Sequence, residues 1–325
     1  MDMPTAHAHP IGIHAPTLDR KDPAITVTSL TMHYGDRQVV KGIDFTVDHG
    51  EVFAFLGPNG AGKTTTVEIM EGFRSRSGGD VRVLGIDPES APPAWRDRVG
   101  VVLQASVPEP DLTVEETIAL YAGFYHRPRP TAEILALTGL EPQAATRNGR
   151  LSGGQQRRLD VALALVGDPD VLFLDEPTTG FDPAARRAAW ETIANLRELG
   201  KTIFLTTHYL EEAEFLADRI AVISAGRIVA VGPPGQLGGR HLRPSVVRLH
   251  LNPALTHDRW PEKFAGRVRV NNDGRSEFDS ADPAPELSEL TSWATSRGAR
   301  IEGLEVARPT LEEIYLSLTD ERNAP

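Results

Sequence analysis

The sequence predicts an α/β fold with a smaller α+β appendage, and three observations carry that assignment. Apolar runs at 171–174, 203–206 and 220–223 have the unbroken character of parallel strands covered on both faces, and longer helix-periodic stretches separate them. Short β-rich stretches at 25–30, 43–47, 52–56 and 81–84, punctuated by Gly, Asp and His turns, predict a sheet at the N-terminal side. Between about 105 and 167 helical spacing dominates, with Leu159, Ala162, Leu163 and Val166 at the i, i+3, i+4, i+7 positions of a buried stripe.

The flanks are read in the same way. Residues 1–23 are rich in Pro and His without apolar periodicity, so His7, His9 and His14 belong to a solvated tail. A Gly and Pro cluster at 232–239 reads as a linker. Beyond it, 246–251 alternates like a strand, Leu287, Leu290 and Ala294 recur like a helix face, and 311–318 resembles a terminal helix. The expected organisation is a tail over 1–23, a main domain over 24–239 and a small α+β domain over 240–325.

The totals narrow the function classes. With 40% hydrophobic and 24% charged residues the 325-residue chain has the make-up of a folded protein. The longest apolar stretch, 220–231, is too short to span a bilayer and carries Arg227. No secretory leader is visible, and the absence of cysteine suits a reducing compartment, so a cytoplasmic location is expected. A net charge of -11 gives no general attraction to nucleic acid or anionic lipid. Membrane attachment would need a protein partner.

Gly57, Pro58, Asn59, Gly60, Ala61, Gly62, Lys63 and Thr64 match the phosphate-loop pattern, placed between an apolar strand and a helix. Glycines let the backbone turn its N–H groups inward around an anion, and the following helix aims its positive end at the same point. Lys63 is expected on the β- and γ-phosphates of ATP, Thr64 on Mg²⁺ and Thr65 on a further phosphate oxygen. Downstream, the apolar strand at 171–174 ends in Asp175 and Glu176, at the carboxyl edge where such sheets bind ligands. Asp175 is the expected metal anchor and Glu176 the expected general base for an attacking water.

Leu151, Ser152, Gly153, Gly154 and Gln155 resemble the signature sequence of the ABC ATPases. By chance such a string arises in about one chain in a few thousand. The resemblance extends from Ile25 to Pro233 and implies an ABC-type P-loop NTPase with an N-terminal antiparallel β subdomain and an inserted helical subdomain. It also implies a head-to-tail dimer in which each signature, Ser152 to Gln155, covers the nucleotide held by the other copy. Under the resemblance Tyr34 stacks on adenine and Gln104 reaches the metal and water. Asp182, in the segment Thr179-Gly180-Phe181-Asp182, meets the opposite subunit, with Phe181 where leucine is commoner. His208 senses the γ-phosphate. The charged residues of 211–214 read as an exposed helix face without chemistry. Residues 309–316 resemble the tail of daunorubicin-resistance type exporter ATPases.

The function expected is the ATP-hydrolysing subunit of a transporter, exporting a drug-like or lipophilic compound through a separate membrane permease. The competing class, a soluble ABC ATPase of translation or DNA repair, usually carries paired cassettes or a long coiled-coil insertion, and neither is visible.

Overall fold

The structure, a computed structural model, describes residues 22–102, 109–251, 260–271 and 274–319. The 1–21 part of the expected tail, and Gln104, lie outside them.

The N-terminal sheet has the order β2-β1-β4 and is antiparallel throughout, built from β1 (Ile25–Tyr34), β2 (Arg37–Val47) and β4 (Gly78–Val83). The apolar phase of β1 slips by one residue, from Ile25 and Val27 to Leu30 and Met32. A bulge explains it: Thr28 and Ser29 intervene between the pairs Val27–Phe45 and Leu30–Ile43, Ser29 has φ 48°, and its N–H donates to Asp44 at 2.8 Å.

The central sheet runs β5-β6-β7-β3-β8-β9, comprising β3 (Val52–Leu56), β5 (Val99–Val102), β6 (Val171–Asp175), β7 (Thr202–Thr207), β8 (Arg219–Ser224) and β9 (Arg227–Gly232). Its pairs are parallel except the β8–β9 hairpin. Strand β3, expected in the N-terminal sheet, instead lies at the centre of this one, between β7 and β8. Every residue of β3 and β7 is buried, so neither shows the alternation that would separate a two-sided core strand from a half-exposed one. Phe45 of β2 stacks on Phe53 at 5.5 Å and meets Phe204 at 5.9 Å, joining the two sheets through one aromatic cluster.

Helix α1 (Lys63–Met70) follows β3, and the short α2 (Pro93–Arg96) precedes β5. The helical region holds α3 (Val114–Ala122), α4 (Thr131–Thr138) and α5 (Gly153–Leu165), and the stripe Leu159, Ala162, Leu163 and Val166 is buried as expected. Helices α6 (Pro183–Glu198) and α7 (Leu210–Leu216) follow β6 and β7.

A second antiparallel sheet, β11-β12-β10-β13, contains β10 (Ser245–Leu251), β11 (Arg269–Val270), β12 (Ser276–Ser280) and β13 (Ile301–Ala307). With α8 (Glu262–Ala265) and α9 (Pro283–Ser296) it encloses its own core of Val247, Leu249, Phe264, Phe278 and Leu290. Helix α10 (Leu311–Thr319) goes elsewhere. Leu311 and Leu237 are buried together with Ala54, Leu56, Ile220 and Val222, so α10 seals the central sheet rather than the appendage. The 232–239 cluster, read as a linker, thus contains a buried anchor, and Gly238, at φ 56°, makes room for Ile314.

Candidate nucleotide site

Strands β6, β7 and β3 are neighbours, and their carboxyl ends deliver the acidic pair, His208 and the phosphate loop to one edge of the sheet. The loop is shaped by two glycines. A Cβ on Gly57 would sit 2.4 Å from the Ile223 carbonyl oxygen, and Gly62, the N-cap of α1, has φ 107°. Lys63 is buried, and its Nζ donates to the Gly57 carbonyl at 2.8 Å and the Pro58 carbonyl at 3.3 Å, with Glu176 Oε1 at 4.0 Å. Burial holds its pKa below the usual lysine value, and Glu176 and Asp175 offset only part of that. The loop, Thr64, Thr65, Asp175 and Glu176 border one cavity of about 360 Å³.

Asp175 accepts a hydrogen bond from the Thr206 hydroxyl. Glu176 adopts φ 46°, a left-handed backbone that a side chain occupies at a cost of about 1–3 kcal/mol. Thr206 holds it there: the Glu176 N–H donates to the Thr206 carbonyl at 3.1 Å and to its hydroxyl oxygen at 3.1 Å. The Glu176 carboxylate accepts from Thr179 Oγ1 at 3.1 Å and lies 3.3 Å from His208 Nδ1. The expected base and the expected sensor therefore meet directly. Tyr34 stands half-exposed at the rim, its hydroxyl 3.4 Å from Thr65 Oγ1 and Arg74 over one ring face at 5.2 Å.

The 151–155 segment starts α5 with a capping box. Ser152 Oγ accepts from the Gln155 N–H at 3.3 Å, and Gln155 Oε1 accepts from the Ser152 N–H at 2.9 Å. Ser152, Gly153 and Gly154 border a second cleft of about 580 Å³, shared with the 179–182 segment and Glu176. Asp182 caps α6, one oxygen accepting from the N–H groups of Ala184 and Ala185 at 2.9 Å each. Phe181 is half-buried beside it.

Two further buried ionisable groups belong to the site. Arg157 is buried and donates to the carbonyls of Pro177 and Asp175, each at 3.0 Å, so the helix begun by Ser152 is tied to the turn that carries the acidic pair. Glu71, at the C-cap of α1, is also buried. Burial pushes its carboxyl up to about 8, and Asp175 and Glu68 add to the effect. Charged letters in a helix ordinarily mean a wet face, so no local signal marks either residue.

Comparison with known proteins shows the family. The family model described as "ABC transporter" matches residues 40–179. The "Nod factor export ATP-binding protein I" of Burkholderia lata is 38% identical over 302 residues, covering 91% of this chain and 96% of that protein. The chain belongs to the ATP-binding subunits of ABC transporters. The protein of the same name from Rhizobium meliloti is 41% identical, covering 91% of this ABC subunit and 88% of its relative. Among solved structures, one titled "Structure of ATP binding subunit of ABC transporter" matches with TM-score 0.58 and 28% identity over 66% of this chain and 91% of the other. CbiO1 from Clostridium perfringens, described as part of an ABC transporter complex, matches with TM-score 0.59 and 29% identity over 66% and 90%. This ABC subunit binds ATP and couples its hydrolysis to transport, and its relatives are of exporter type.

Proposed function

We propose that two copies of the chain close around two ATP molecules, hydrolyse them, and so drive a separate permease that exports a drug-like or lipophilic compound. One observation supports the dimer above others: Ser152, Gly153 and Gly154 border a different cleft from the one at the phosphate loop. Their helix end has no anion of its own chain to hold, and the γ-phosphate of a second copy suits it. The Ser152 hydroxyl spends one lone pair on its cap and keeps its proton for that oxygen.

Within each site the roles follow from position. Inward N–H groups of Gly57 to Gly62 and the α1 terminus take the phosphates, Lys63 swings from the loop carbonyls to the β- and γ-oxygens, and Thr65 adds a contact. Adenine stacks on the Tyr34 face that Arg74 leaves open. Glu176 takes a proton from the attacking water, and His208, beside it, registers the γ-phosphate. Asp182 meets the opposite copy. Thr64 and Asp175, with Gln104 outside the described residues, would hold Mg²⁺, which supplies charge neutralisation at the phosphates. Thr64 and Asp175 offer hard oxygen donors, and no group of three His, Cys, Asp or Glu able to hold a metal exists among the described residues. That suits an ion shared with phosphate and water rather than one caged by protein.

The permease seat is a groove of about 270 Å³ bordered by Phe73, Trp95, Tyr121, Tyr125 and Leu163, with Glu71 on its wall. Phe73 and Phe124 are 68% and 72% exposed nearby, a large apolar area for a surface unless something covers it. A short amphipathic helix of the permease fits there, which would hold the subunit on the inner face of the cell membrane. No helix among the described residues is long and apolar enough to cross a membrane. Export follows the names of the relatives, and the class of cargo follows the resemblance of 309–316. Glu176→Gln with Mg-ATP should elute as a dimer in size exclusion and revert to monomer with ADP; monomers in both would end this reading.

A further inference from the structure

Glu212, in the stretch read as an exposed acidic face, is fully buried. Its Oε1 accepts two hydrogen bonds, from Thr178 Oγ1 at 2.7 Å and from Trp190 Nε1 at 2.9 Å. The positive charge of Arg186 acts on the same carboxylate. These partners come from different elements. Thr178 lies two residues beyond Glu176 in the turn leaving β6, Trp190 lies on α6, and Glu212 itself lies on α7, just after His208 and the end of β7.

Burying a carboxylate is costly, and a chain needing only to fill this space would do so with an apolar side chain. What the carboxylate adds is a fixed distance between two mounts. Glu176 and His208 both sit just past strand ends; the backbone N–H of Glu176 is held by Thr206, and the two side chains stand 3.3 Å apart. Glu212 follows His208 by four residues and grips the turn that carries Glu176.

We infer that Glu212 is a positioning residue, which sets the His208–Glu176 geometry and the attitude of the 179–182 segment by clamping the β6 turn to the β7 turn. It borders neither the phosphate-loop cavity nor the cleft at Ser152. The inference rests on the catalytic roles proposed for Glu176 and His208.

The test separates turnover from binding. Glu212→Ala should lower kcat about 10- to 100-fold, the scale expected when a catalytic group shifts by about an ångström, while the Kd for ATP stays within about twofold. Glu212→Gln keeps an acceptor for Thr178 and Trp190 and should recover most of the turnover. Thr178→Val removes one bond with little change of shape, and should lower kcat in the same direction even if Glu212→Ala fails to fold. Turnover within twofold of the parent in Thr178→Val, or Glu212→Gln as poor as Glu212→Ala, would overturn the clamp. Glu176→Gln, run alongside, keeps the two readings apart: if it retains turnover the catalytic assignment fails, whereas if it alone loses turnover only the clamp fails.

Discussion

Glu176 carries two demands at once, a left-handed backbone and a carboxylate beside His208. The demands can be separated by substitution. Glu176→Gly and Glu176→Ala should both lose about 10²- to 10⁴-fold in turnover, since both remove the proposed base. Only glycine accepts φ 46° without a Cβ penalty, so Glu176→Gly should be the more stable of the two by about 1 kcal/mol in denaturant unfolding. Equal stabilities would mean that the backbone relaxes once the side chain is gone. Glu71 invites a pH measurement. Its folded pKa, about 8, lies above the unfolded value, so folding takes up a proton between the two. The group's contribution is most favourable below its unfolded pKa and is lost as pH rises through 8. Glu71→Gln should therefore gain on the parent between pH 5 and 8, by at most about 1.4 kcal/mol per pH unit, and parallel stability curves would refute the buried acid.

At the scale of elements, the start of α5 separates capping from recognition. Asp is as good an N-cap as Ser, so Ser152→Asp should unfold within about 0.5 kcal/mol of the parent. The added negative charge would face the partner's γ-phosphate, and ATP-driven dimerisation of a Ser152→Asp/Glu176→Gln protein should be lost. Persistence of the dimer would place Ser152 away from the nucleotide. Strand ends were the legible part of this architecture. An apolar run ending in two carboxylates marks β6 and pointed to Asp175 and Glu176, the phosphate-loop pattern pointed to Lys63, and His208 came through the family resemblance. The clamp was illegible because burial of Arg157 and Glu212 is decided by residues far off in the chain: Thr178 and Trp190 make Glu212 an interior group, while its own neighbours Glu211 and Glu214 look like a wet face. The place of β3 is illegible for a related reason. A strand buried on both faces has no period, so nothing local says which sheet it joins.

The whole molecule closes through α10. Leu311 is buried against the central sheet, whereas Leu316 on the same helix is 57% exposed. Leu311→Ala should cost about 2–5 kcal/mol and Leu316→Ala about 0.5 kcal/mol or less, read from denaturant midpoints. Equal costs would show that the helix does not sit on the ATPase domain. The residues beneath it, Ala54 and Leu56, belong to the strand that runs into the phosphate loop. That strand leaves the ribosome early and α10 emerges late. For most of synthesis, then, the motor exists with one flank bare, an adhesive surface for chaperones and for sister chains. A message cut short before α10 yields a product with every catalytic letter in place and no shelter for the strand beneath them, fit for the protease rather than the membrane.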